Sequence, residues 1–98
     1  MIKLRIQSES DDRAVEIIRS AISAEIKRLE MGLQKTEKQI NRFEQEYKTT
    51  SDVFLKEFTA ENMKNGDREY IEWAGELKIR DRIAEDLKRL REIEYVAQ

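Results

Sequence analysis

Two pairs of carboxylates sit one helical turn apart in the second half of the chain, Glu72 with Glu76 and Asp81 with Glu85. At this spacing on a helix each pair shares a face, which is how carboxylate bundles present ligands to two metal ions. Such sites are completed by a Glu-x-x-His element, and the sequence contains no histidine. It contains no cysteine either, which removes the thiolate nucleophile, the imidazole base, the disulfide and the sulfur or imidazole metal ligand together. Serines and lysines occur without the strained turn or glycine-rich cradle that would activate them. The carboxylates therefore read as solvated helix surface. The expectation is a chain that is not an enzyme and takes no cofactor and no metal.

What the residues do specify is a scaffold. The 98 residues suit one domain, near the size at which a single core leaves modest stability and self-association often adds to it. Charged residues make up 41% and the hydrophobic set 39%, with no proline, a profile of long helices or coiled coil. Nineteen basic residues against 21 acidic give no overall field that favours nucleic acid or an anionic membrane. No apolar run approaches the roughly 18 residues of a membrane span, and the expected location is the cytoplasm.

The periodicity supplies the elements. Ile22, Ile26, Leu29, Leu33, Thr36, Ile40, Phe43 and Tyr47 step alternately by four and three, a heptad seam on a helix predicted over 11–48. Ser8 or Ser10 would cap it, with Asp11 and Asp12 in its first turn. The stretch TTSD at 49–52 breaks it, and a short helix follows over 51–64 with Phe54 and Phe58 four apart. A third helix, 67–96, repeats Tyr70, Trp73, Leu77, Arg80, Ala84 and Leu87, widened by Ala74, Ile83 and Leu90. Glu44 with Lys48, Glu76 with Arg80 and Glu85 with Arg89 are spaced for helical ion pairs. The predicted class is all-α: a single domain over 1–98 that forms an antiparallel helical hairpin with the short helix folded over its tip.

Ahead of the hairpin, Ile2, Leu4 and Ile6 alternate with Lys3 and Arg5, the period of a short strand over 1–7. No second strand is evident in the sequence. The segment is expected to pair with its own counterpart in another copy, or to lie as an extended arm on the helices.

Two features of DREYIEWAGEL (67–77) bear on function. Trp73 joins Phe43, Tyr47, Phe54, Phe58 and Tyr70 in a stretch that converges at the tip. These rings can form a satellite core that fixes the short helix or, exposed, a recognition hot spot. Stacking on nucleic-acid bases is disfavoured, because the nearby basic residues are interleaved with acidic ones. Gly75 points away from Trp73 and costs about 1 kcal/mol relative to alanine in a helix interior. On its own side it lies between Ile71 and Ile79, with Ile93 farther along the arc. The first helix likewise carries Ile17, Ala24 and Met31 opposite its seam. A two-helix monomer buries one face of each helix, so these second stripes, Ile17/Ala24/Met31 and Ile71/Gly75/Ile79, are the candidate protein-binding residues.

The segment Tyr70-Ile71-Glu72-Trp73-Ala74-Gly75, between a capped short helix and a charged heptad helix, resembles small prokaryotic antitoxin-like proteins encoded beside toxin enzymes. The resemblance implies a noncatalytic protein that dimerises and occludes a toxin through a helical face. No functional residue carries over from it. The alternative is a structural or chaperone-like coiled coil, similar in outline to prefoldin; prefoldin joins its helices through β-hairpins, whereas the connector here reads as a helix. The expected partners are a second copy, through the first half of the first helix and the back of the third, and a second protein such as a cognate toxin.

Overall fold

The computed structural model describes residues 2–6, 12–63 and 66–97. Strand β1 (Ile2–Ile6) is followed by helices α1 (Asp12–Glu46) and α2 (Ser51–Glu57), a 3-10 turn (Ala60–Asn62), helix α3 (Gly66–Arg91) and strand β2 (Ile93–Ala97). Helices α1 and α3 pack side by side as the predicted hairpin, with α2 between them in the chain at its tip. A 35-residue helix makes the molecule long and thin, with extents of 62 × 20 × 18 Å.

The end of the third helix is corrected. The third helix stops at Arg91, and the residues expected to continue it form β2, which pairs in parallel with β1 from Ile2 opposite Ile93 to Ile6 opposite Ala97. The N-terminal strand thus has a partner inside its own chain, supplied by the opposite end of the sequence. The helix ends where Lys88, Arg89 and Arg91 complement its negative pole. The carbonyl of Glu92 then accepts the N–H of Ile2 at 3.2 Å, which starts the ladder. The short helix is also shorter than predicted, since Phe58 leaves it in an extended conformation. Ser8, Ser10 and Asp11, assigned capping or first-turn roles above, lie outside the described residues.

The turn from α1 to α2 is set by hydrogen bonds. Lys48 adopts φ of 51°, and the N–H of Thr49 reaches back to the carbonyl of Glu44 at 3.0 Å, which is the six-to-one bond of a Schellman-type ending. Thr50 caps α2, its hydroxyl accepting from the N–H of Val53 at 3.2 Å. Glu44, expected to pair with Lys48, instead accepts both the N–H and the hydroxyl of Ser51, each at 2.8 Å. Gly66, at φ of 59°, turns the chain into α3 in a conformation that favours glycine.

The core is concentrated at the tip. Trp73, Phe43 and Phe54 are fully buried, and Ile40, Met63 and Leu77 close the cluster. Phe54 stacks on Trp73 at 3.9 Å between ring centroids and Phe43 at 5.5 Å, while Phe58 meets it edge-on at 6.4 Å. The indole N–H, which would be costly to bury unpaired, donates to the Ser51 hydroxyl at 3.0 Å. Since Ser51 in turn donates to Glu44, one chain of hydrogen bonds ties α3 to α2 to α1. Tyr47 adds a second tie through its hydroxyl, which donates to the buried carboxylate of Glu69 at 2.6 Å.

Away from the tip the seam loosens. Thr36 and Leu29 are buried, but Leu33, Ile26 and Ile22 are half-buried. On α3, Leu77 and Leu87 are buried, and Ile83 turns inward toward Gly32 in place of Ala84, which is exposed. With Phe43 facing Trp73 and Gly32 facing Ile83, α1 runs roughly 20 Å past the last turn of α3 at 1.5 Å per residue.

Removing the ring at the centre of this cluster is expected to cost about 3 to 5 kcal/mol in Trp73→Ala. Ser51→Ala should cost about 1 to 3 kcal/mol, because it strands the indole N–H without a buried acceptor. Chemical denaturation of both variants checks the order; an unchanged midpoint for Trp73→Ala would mean that the tip does not hold the fold.

Candidate protein-binding site

Gly75 sits mid-helix in α3, half-buried, on the side turned away from the seam. A Cβ built at this position meets nothing within 4 Å. The absence of a side chain therefore makes room for no group of its own chain, and the helix bears the propensity cost of a glycine without an internal return. Gly32 differs in that a Cβ there would lie 3.5 Å from Ile83, in ordinary contact.

The residues one turn to either side of Gly75 project into solvent: Ile71 is 66% exposed and Ile79 47%. Two β-branched side chains flank a bare stretch of backbone, a knob, a gap and a knob spanning roughly 12 Å along the axis. The gap would admit one large apolar side chain or the close approach of another backbone. Beside it Arg68 and Glu72 form an exposed ion pair at 3.3 Å. Ile93, read above as an extension of this arc, belongs to β2, so on α3 the stripe ends at Ile79.

The second stripe lies elsewhere. Ile17 is 60% and Met31 69% exposed, and Ala24 between them is exposed as well. They occupy the outer side of α1 in its first half, one every two turns, and Met31 borders an open groove with Gln34, Lys35, Lys38 and Asn41. Isolated apolar residues spaced in this way among charges do not make a contiguous patch. The hairpin places the two stripes on different helices and toward opposite ends, so it does not bring the six candidate residues into one site. Val53 and Leu55, exposed on α2, add apolar surface that periodicity did not single out, because seven residues are too few to define a face.

The aromatic tip is core. Burial of Trp73, Phe43 and Phe54 leaves no ring stack open to a partner or to a nucleic-acid base, although Tyr47, Phe58 and Tyr70 are partly accessible at its margin.

Three of the four carboxylates spaced in pairs along α3 lie beside arginines. Glu72 pairs with Arg68, Asp81 lies beside Arg80, and Glu85 is 3.8 Å from Arg89. Among the described residues no group of three or more metal-binding side chains comes together. A further surface pair, Arg28 with Glu25, holds that carboxyl below its ordinary range through hydrogen bonding and attraction and raises the guanidinium. No described helix is long and apolar enough to cross a membrane.

No protein-family model, curated protein or solved structure matches the chain.

Because a Cβ at Gly75 meets nothing, Gly75→Ala should raise stability by up to about 1 kcal/mol, the propensity difference between the two residues. Thermal melting of the isolated protein decides this; a lower melting temperature would reveal an internal contact at the position.

Proposed function

We propose that this chain is a noncatalytic protein-binding module and that the outer face of α3 at Ile71, Gly75 and Ile79 is where a second, different protein docks. The observation that carries this reading is the glycine: it weakens a helix whose own packing has no use for it, between two exposed isoleucines. A missing side chain of this kind is useful where another chain approaches closely. The resemblance of residues 70–75 to antitoxin-like proteins suggests what that chain is, a toxin enzyme occluded by the helical face.

The alternative of a chaperone-like coiled coil would use the tip to hold unfolded clients. Burial of the aromatic stack favours the first reading, since the largest apolar side chains of the molecule are spent on its own core.

Gly75→Leu and Ile71→Glu test the proposal. Each should abolish co-purification of a stoichiometric partner from the native cell while leaving the circular-dichroism spectrum unchanged, with at least a tenfold loss of affinity on the scale of an interface hot spot. Retention of the partner by both variants would sink the docking face; a heterogeneous set of unfolded proteins bound equally by all forms would favour the chaperone reading.

A further inference from the structure

Strand β2 has β1 on one side and, among the described residues, no strand on the other. The unpaired N–H and C=O groups along such an edge are a template for another strand, and parallel pairs ordinarily belong to larger, covered sheets. The described apolar residues of this pair are incompletely covered: Ile2 is 38% exposed, and Leu4 and Ile93 are half-buried. On the part of α1 that outruns α3, Val15, Ile18 and Ile22 are half-buried too. The base of the molecule thus carries an open-edged sheet and, on α1, a row of half-buried apolar side chains.

We infer that the open edge of β2 is the interface between two copies of this chain, with β2 pairing antiparallel to β2 about Tyr95 in a four-stranded sheet of order β1-β2-β2-β1. A closed two-fold contact sets a strand against itself, and charge decides which strand. In β1, every antiparallel alignment that keeps its alternation sets Lys3 opposite Arg5 or each opposite itself, and directly opposed like charges are destabilising. In β2, the full-length alignment about Tyr95 sets Ile93 opposite Ala97 and Glu94 opposite Val96, with no like charges opposed. Glu94 already has Lys3 of its own chain across the parallel ladder. A joint of β1 on the β2 of a following copy would also match charges, but it leaves both ends open and runs on into fibres. In the two-fold sheet only the β1 edges remain outside, and their Lys3 and Arg5 are the kind of residue that discourages further edge pairing. Five residues make a short edge, so the contact is a small one. This inference rests on the strand edge and stands or falls separately from the Gly75 face.

Light scattering over a dilution series, repeated on Val96→Glu and Val96→Lys, tests it. The wild-type mass should rise from 11.7 kDa to about twice that value and stop. Val96→Glu sets a carboxylate opposite Glu94 of the second copy and should raise the dissociation constant about tenfold, whereas Val96→Lys should lower it. Inside one chain position 96 faces Arg5, so the same substitutions act on the internal ladder with the opposite sign. A weaker dimer of Val96→Glu therefore cannot be put down to a damaged sheet, and far-ultraviolet circular dichroism confirms that each variant keeps its helices. A wild-type mass of 11.7 kDa at every concentration up to about 1 mM, growth beyond the dimer, or a shift of both variants in the same direction would overturn the proposal.

Discussion

Burial of the Trp73 indole is the constraint on which the rest of this structure depends. Its ring supplies a large apolar area to a small protein, but its N–H must find an acceptor once water is excluded. Ser51 provides that acceptor at 3.0 Å, and Ser51 is held at the start of α2 by Glu44 of α1. The direction of α2, the turn at Lys48 and Thr49 and the position of Phe54 over the indole are therefore parts of one solution. With Trp73 fixed against Phe43, the register between α1 and α3 is fixed along their length, and Gly32 meets Ile83 as a consequence.

The same register decides where the molecule is loose. Helix α3 ends while α1 continues, so the first turns of α1 have no helix to pack on, and there Val15, Ile18 and Ile22 stay half-buried while Ile17 is exposed. Where α3 ends, its contact with α1 is reinforced by an exposed ion pair, Arg91 with Glu30 at 2.7 Å, which is worth little in water. Stability is thus graded from a sealed tip to a base that opens at lower free energy, and low-stability regions are those from which adaptable interfaces are drawn. Of the two proposed binding surfaces, the edge of β2 belongs to the base, whereas the outer face of α3 lies at the level of Trp73 on the opposite side of its helix. Each can be altered without touching the stack that holds the hairpin.

Much of this was legible in the residues. The heptad steps from Ile22 to Tyr47 define α1 and its buried side, because a helical period persists over many turns and only one face can be covered. Clustering of the aromatics marked the tip, and the glycine at 75 marked a face whose side chains prove exposed. The reading failed at Ile93–Ala97, a five-residue run in which Glu94 alone is polar and Ile93 also continues a helical arc from Ile79. So short a run does not decide the period, and nothing local separates helix from strand.

The sequence by itself determined the all-α class, the hairpin, the cap-rich break and the absence of histidine and cysteine chemistry, because these follow from composition and from patterns repeated over many residues. Tertiary structure alone decided three matters. It turned the end of the third helix into a strand, since only a partner from the opposite end of the chain offers a ladder to that backbone. It diverted Glu44 from its helical neighbour to Ser51, since a buried serine that must accept from an indole needs an acceptor of its own. It also separated the two apolar stripes, since a helix pair joined at one end turns their backs away from each other and from any common site.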